Sequence, residues 1–126
     1  MKKAVFAQGA PAAIGPYSHG VAIGDLFFTS GQIALVPETG KLVDGGIQEQ
    51  TEQVLRNLEM VLSANGMTFA NVVKTTVFIT DLADFAEINR IYAARFPNDP
   101  PARSCVQVAA LPAGSRLEIE LIAAKA

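Results

Sequence analysis

Arg103 is the residue with the strongest potential for chemistry. It lies in the stretch PPARSCVQV at positions 100–108, whose composition predicts a β-strand entered through a double proline. A guanidinium presents a rigid fork of donors that matches a carboxylate through two parallel hydrogen bonds. If the strand is covered, this charge requires an anionic partner, because an unpaired buried charge costs several kcal/mol. The partner is either a carboxylate of the chain, Glu118 or Glu120, or the carboxylate of a ligand.

Two glutamates and one cysteine are further candidates. Glu118 and Glu120 alternate with apolar residues in a terminal strand. Beside a covered, partly apolar pocket such a carboxylate would hold or deprotonate a water molecule, whereas on a solvated sheet edge it has no chemical role. Cys105 is the one cysteine, and no histidine stands near it in the sequence. It is therefore better interpreted as a small buried residue than as a nucleophile.

Two loop segments add weaker candidates. Tyr17 follows a Gly-Pro turn, and aromatic residues on loops often line binding sites. Ser30 and Gly31 end a strand at a glycine, where a backbone N–H can approach a ligand closely. Each pattern is also typical of ordinary turns, so neither defines a site alone.

Composition narrows the possible functions. The 126 residues are 50% hydrophobic and 17% charged, which indicates one globular domain over residues 1–126. The net charge of −2 gives no general attraction for phosphate backbones, so nucleic-acid binding is not expected. No apolar run suits a signal peptide or a membrane span, and a single cysteine fits a reducing compartment, so a cytoplasmic location is expected. His19 and Cys105 are the only soft ligands and no phosphate-binding loop is present, so neither a metal nor a nucleotide is expected.

Hydrophobic periodicity predicts the element order βββαβαββ. The first helix is predicted over 47–62, with Asp44 as its N-cap and the Asn-Gly pair at 65–66 as its end. Asp81 is predicted to cap the second helix. The apolar stripe of that helix comprises Leu82, Phe85, Ile88, Tyr92 and Phe96, and the strands are predicted at 3–6, 20–24, 26–30, 72–79, 103–109 and 116–123.

The connections predict a sheet with one uncovered face. Right-handed crossovers place both helices on the same side. Side chains alternate along a strand, so Arg103, Cys105 and Gln107 share one face. We expect these residues on the uncovered face, together with Glu118 and Glu120 of the last strand. Because that face also carries apolar residues, burial against another copy is favoured over a solvated face.

Five stretches resemble one known family. They are GPYS at 15–18, TSGQ at 29–32, VKTTVF at 73–78, PARSCV at 101–106 and LEIE at 117–120. In this order they are similar to the Rid family, specifically the RidA (YjgF-type) reactive intermediate/imine deaminases. The similarity extends over essentially the whole chain, and the Pro-Ala-Arg-Ser block is its most specific part.

The resemblance implies a chorismate-mutase-like (Rid-type) α+β fold, in which a six-stranded mixed sheet carries two helices on one face. It implies a homotrimer with three sites at the subunit clefts, each built from two subunits. The implied activity is hydrolysis of 2-imino acids, such as 2-iminobutanoate and 2-iminopropanoate, to 2-oxo acids and ammonia. These imines derive from reactive enamines such as 2-aminoacrylate, and the reaction implied needs no cofactor.

The resemblance also implies roles for single residues. Arg103 would grip the substrate carboxylate, and Glu118 would orient or activate the attacking water, with Glu120 as the alternative to Glu118. The other substrate-binding positions implied are Tyr17, Ser30, Gly31 and Cys105. The alternative function is a non-catalytic small-carboxylate-binding or regulatory module, which would need the arginine but no water-activating glutamate. Ribonuclease or translation-inhibitor activity, described for some relatives, is not favoured by the acidic composition.

Overall fold

A mixed sheet of seven strands carries two helices, and the computed structural model describes all 126 residues. The strands are β1 Lys3–Val5, β2 Gly20–Ile23, β3 Leu26–Thr29, β4 Gln32–Ile33, β5 Val72–Ile79, β6 Ala102–Gln107 and β7 Leu117–Ala124, and the helices are α1 Ile47–Ala64 and α2 Phe85–Ala93. The sheet order is β1-β2-β3-β7-β5-β6, with β4 also paired to β7. Only β5 and β6 are parallel. The predicted α+β class is confirmed, and β4 is an additional strand too short to leave an alternation pattern.

Helix α1 packs an apolar stripe, repeated every three or four residues, against the sheet. Its N-cap is Gly46, so the prediction of Asp44 is wrong. The Gly46 N–H donates to Oε1 of Glu49 at 2.9 Å. Glu49 lies in the first turn of the helix, and its side chain takes the capping role that was predicted for Asp44. The helix ends at the Asn-Gly pair as predicted, because Gly66 adopts a φ of 69° that side chains disfavour.

Helix α2 is entered through a single 3-10 turn. Asp81 caps this turn, Leu82–Asp84, by accepting a hydrogen bond from the Ala83 N–H at 2.9 Å. The predicted cap is therefore correct for the turn, and the α-helix itself starts at Phe85. Helix α2 packs beside α1 and leaves a cleft between itself and the start of β6.

The sheet has a helix face and an open face. The helix face, defined by Val77 and Ile79 of β5 with Leu117 and Ile119 of β7, is buried in the core. The residues that alternate with these form the open face, over which no helix packs. They are Lys74, Thr76, Phe78, Glu118, Glu120 and Ile122.

The predicted orientation of β6 is wrong. Arg103 is paired with Thr75, and Cys105 with Val77, in the register between β6 and β5. Paired residues point to the same face, and Thr75 and Val77 are buried on the helix face. Arg103 and Cys105 therefore lie on the helix face, opposite to Glu118. Polar groups are tolerated there because the cleft beside α2 leaves this edge of the face accessible.

None of the helices combines the length and the apolar composition that a membrane span requires. No three His, Cys, Asp or Glu side chains are grouped so that they could hold a metal ion. The two soft ligands lie in different parts of the fold, since His19 immediately precedes β2 and Cys105 lies within β6.

Candidate functional site

Arg103 is held on the helix face by three side chains of α2. Its guanidinium carbon lies 5.4 Å from the centroid of the Phe85 ring and 5.0 Å from that of the Tyr92 ring. Its Nη1 donates a hydrogen bond to Oδ1 of Asn89 at 2.6 Å. Phe85, Asn89 and Tyr92 are spaced by four and three residues, so they share one side of the helix. These three side chains, the arginine cradle, orient the guanidinium by cation–π attraction and one hydrogen bond.

Tyr92 is itself fixed by the sheet. The residue is 6% exposed, and its hydroxyl shares a 2.7 Å hydrogen bond with Oγ1 of Thr75 in which either oxygen can donate. Burial raises the pKa of Tyr92, and this outweighs the opposing effects of the Thr75 bond and the charge of Arg103. The ring is therefore an uncharged and fixed platform for the guanidinium.

No carboxylate of the chain pairs with Arg103. Glu118 and Glu120 point to the open face, which excludes them as its internal partners. Three ion pairs are formed, all elsewhere: Arg90–Glu87, Arg95–Glu52 and Arg116–Asp84. A cleft of about 550 Å³ holds Glu118, whereas Arg103 borders a different one of about 460 Å³, between α2 and β6. The donors of Arg103 that Asn89 does not use are available to an anion entering there.

Cys105 lies two residues beyond Arg103 and is partly buried against the core. Burial raises the pKa of the Cys105 thiol, and the charge of Arg103 offsets only part of this rise. The group is a thiol at neutral pH, and it is suited to packing rather than to nucleophilic attack.

The larger cleft, which we call the glutamate cleft, gathers four of the six predicted site residues. They are Tyr17, Ser30, Gly31 and Glu118. Tyr17 is 45% exposed. Apolar side chains complete much of the lining, so the cleft combines a carboxylate with partly apolar surroundings, a setting in which a carboxylate can activate water.

Gly31 allows the Glu118 carboxylate to lie against the backbone. A Cβ at position 31 would stand 2.6 Å from Oε2 of Glu118, a distance that real Cβ atoms do not show. Burial, and secondly the negative charge of Glu120, raise the pKa of Glu118. Glu120 is exposed and does not line the cleft. Of the two glutamates, Glu118 is thus the one placed to act in it.

Ser30 is oriented by the segment that precedes β2. Its Oγ donates to the carbonyl oxygen of Ser18 at 2.6 Å, and its N–H donates to the carbonyl oxygen of His19 at 2.9 Å. Because the hydroxyl proton is used in the first bond, the side chain offers an oxygen lone pair, and not a donor, to the cleft.

Two buried amides tie the floor of the glutamate cleft to α1. Nδ2 of Asn57 donates to the carbonyl oxygens of Ile33 at 3.2 Å and Leu35 at 2.9 Å, and both of these residues line the cleft. Nε2 of Gln53 donates to Oδ1 of Asn57 at 2.9 Å. Asn57 and Gln53 are buried, and their bonds fix the floor to α1 in addition to the pairing of β4 with β7.

The arginine cradle is absent from the sequence-based site. Phe85 and Tyr92 belong to the apolar stripe predicted for the second helix, and that pattern indicates core packing rather than a site. The sequence signal that could have revealed the cradle is Asn89, since a polar residue at helical spacing from both aromatics does not fit an apolar stripe. The six predicted residues therefore fall into two groups on opposite faces, with Arg103 and Cys105 apart from the glutamate cleft.

Comparisons with known proteins agree on one family. Residues 7–125 match the model of a family described as endoribonuclease L-PSP. The chain is similar to Reactive Intermediate Deaminase A, chloroplastic, of Arabidopsis thaliana, with 51% identity over 122 residues that cover 97% of the chain and 65% of the plant protein. It is also similar to the 2-iminobutanoate/2-iminopropanoate deaminase of Mus musculus, with 50% identity over 123 residues, 98% of the chain and 91% of the mouse protein. Among solved structures, E. coli TdcF with bound serine has a TM-score of 0.92 and 45% identity, covering 98% of this chain and 99% of that one.

Proposed function

This chain belongs to the Rid family of reactive intermediate deaminases, and we propose that it hydrolyses 2-imino acids, among them 2-iminobutanoate and 2-iminopropanoate, to 2-oxo acids and ammonia. The observation that carries the proposal is the unpaired guanidinium of Arg103. The arginine cradle orients this charge without neutralising it, so a carboxylate ligand is the partner that fits. The E. coli relative holds serine, which has such a carboxylate.

In the proposed reaction Arg103 binds the carboxylate of the imino acid, and this orients the C=N carbon. Glu118 takes a proton from a water molecule as the water oxygen attacks that carbon and the C=N electron pair moves to nitrogen, and return of this proton to the nitrogen gives a carbinolamine. Glu118 then takes the proton of the new hydroxyl group and passes it to the nitrogen, so the C–N bond breaks, ammonia leaves and the oxygen becomes the carbonyl of the 2-oxo acid. Every step moves only protons and electron pairs of the substrate and water, so the proposed route uses no cofactor or metal.

Glu118 is suited to this proton transfer. Burial and the charge of Glu120 raise the pKa of Glu118, so this carboxylate binds a proton more readily than a solvated glutamate does. A group with such a pKa can both take and return a proton within one cycle.

The proposed site spans two copies of the chain. One copy supplies Arg103 and Cys105 from its helix face, and its neighbour supplies the glutamate cleft. The separation of Arg103 and Glu118 onto opposite faces supports this, because one copy cannot turn both side chains towards one substrate. A cyclic homotrimer would contain three such sites. Phe28 and Val106 also lie on the open face, because they pair with Ile122 and Phe78, and as exposed apolar residues they would supply part of the interface.

The family description names an endoribonuclease, but the clefts do not favour RNA as a substrate. Binding of a nucleic-acid backbone draws on several Lys or Arg side chains. No Lys or Arg lines the glutamate cleft, and Arg103 is the only Lys or Arg that lines the cleft beside α2. Imine hydrolysis, which needs one cation for one carboxylate, matches the clefts better.

The single cysteine is consistent with the reducing conditions of the cytoplasm.

A coupled assay tests the proposal. Threonine dehydratase generates 2-iminobutanoate, and the release of 2-oxobutanoate or ammonia is followed with and without the protein. We expect acceleration by the wild type, loss of most activity in Arg103→Lys, and a fall in kcat of about 10²-fold or more in Glu118→Gln with a smaller change in affinity for 2-oxobutanoate. Absence of acceleration by the wild type would favour the carboxylate-binding module. Equal losses of turnover and affinity in Glu118→Gln would assign that residue to binding alone.

A further inference from the structure

A buried histidine outside both clefts connects two parts of the chain. His19 is 3% exposed. Its Nδ1 lies 2.9 Å from the backbone nitrogen of Ala7, and its Nε2 lies 2.7 Å from the carbonyl oxygen of Pro11. A backbone N–H can only donate and a carbonyl oxygen can only accept, so Nδ1 bears no proton and Nε2 carries one. The two bonds therefore select one neutral tautomer of the imidazole.

The segment that His19 holds is otherwise unattached by hydrogen bonds. Residues 6–17 make backbone hydrogen bonds only within the segment, from Ala10 to Ala7 and from Tyr17 to Gly15. Their only hydrogen bonds to the rest of the chain are the two to the His19 ring. The same segment forms one wall of the glutamate cleft, to which it contributes Pro11, Ala12, Ile14 and Tyr17. His19 is thus the polar anchor of that wall.

We propose that His19 is a positioning residue that sets the affinity of the glutamate cleft by anchoring the 6–17 wall, without touching the reacting atoms. Anchoring itself is independent of the reaction, whereas its effect on substrate affinity rests on the deaminase function proposed above. A glutamine side chain ends in one acceptor and one donor group, so it can form the same pair of bonds. A leucine side chain fills similar space and can form neither. His19→Gln and His19→Leu are therefore a matched pair of variants.

Residue-resolved amide hydrogen exchange tests the anchor directly. In the wild type and in His19→Gln, the Ala7 amide is expected to be protected, because its N–H is bonded. In His19→Leu it should exchange at least about tenfold faster, while the amides of β5 and β7 keep their protection. Unchanged protection of Ala7 in His19→Leu would overturn the proposal. If that variant does not fold, the wild type decides: an Ala7 amide that exchanges as fast as those of Gln8 and Gly9, which have no hydrogen bond, also overturns it.

Steady-state kinetics with 2-iminobutanoate tests the link to the site. We expect KM to rise about tenfold in His19→Leu, kcat to stay within about twofold, and His19→Gln to restore KM. Equal KM values in the three proteins would refute the positioning role. The affinity for 2-oxobutanoate, measured by calorimetry, should shift in the same way. Failure of the deaminase function itself would appear separately, as absence of turnover in the wild type, while the exchange and calorimetric results still decide the role of His19.

Discussion

Two inactive variants should restore activity to each other when they assemble together. Arg103→Ala removes the guanidinium from the helix face, and Glu118→Ala removes the carboxylate from the glutamate cleft. If one copy supplies Arg103 and its neighbour supplies Glu118, each variant keeps the half that the other lacks. A mixed oligomer then contains some sites in which both halves are intact.

The expected recovery follows from how the site is divided. A site is intact when the copy that supplies the arginine is the Glu118→Ala variant and the copy that supplies the glutamate is the Arg103→Ala variant. With equal amounts and random assembly each condition holds in half of the copies, so about one quarter of the sites, and about one quarter of wild-type activity, should return. The variants are unfolded together, refolded and assayed for release of 2-oxobutanoate, and sedimentation is used to confirm a trimer of unchanged size.

The matched control is a mixture of Arg103→Ala with Arg103→Lys, in which no site regains the guanidinium fork. This mixture should stay as inactive as its components. Activity in the test mixture that does not exceed this control, despite mixed trimers, would refute the division of the site between copies. A stable monomer with full wild-type activity would refute it as well.

Two further predictions concern the arginine cradle and Glu118. Tyr92→Phe keeps the ring beneath the guanidinium and should retain kcat/KM within about threefold, whereas Tyr92→Leu should lose about tenfold; equal values in steady-state assays would contradict the cation–π role. Glu118→Gln should raise Tm relative to the wild type at neutral pH, because the raised pKa of Glu118 means that folding disfavours its ionised form. The contribution of Glu118 to stability is present below the unfolded-state pKa of about 4.3 and is lost as pH rises through the folded-state pKa, so the Tm difference should grow as pH rises above about 4.3. If the Tm difference measured in thermal melts stays constant or shrinks as pH rises, folding does not disfavour the ionised form of Glu118.

Much of the candidate site is predictable from motifs, because the pairing of neighbouring strands brings their motif residues together. Ser30 and Gly31 follow β3 and lead into β4, which pairs with β7, and this places them beside Glu118. The sequence alternation also identifies Glu118 correctly as a residue of the open face. These relations depend on antiparallel neighbours with clear apolar and polar sides.

The face of Arg103 was not predictable in the same way. Both alternating sets of β6 are mixed, since one contains Arg103 and Cys105 and the other Ser104 and Val106. Their orientation is determined by the register with β5 across a parallel pair, and no pattern within β6 reports that register. The expectation that polar residues avoid the helix face failed because α2 receives the guanidinium with its own aromatic and amide groups.

The side-chain bonds that hold the floor of the glutamate cleft to α1 come from amide groups, those of Asn57 and Gln53. An amide neither gains nor loses a proton across the biological range of acidity, and dissolved ions screen its bonds far less than they screen surface charges. The shape of that floor is therefore insulated from changes in the surrounding medium. Acidity would act there through the charge of Glu118, and would leave the contour of that floor as it is.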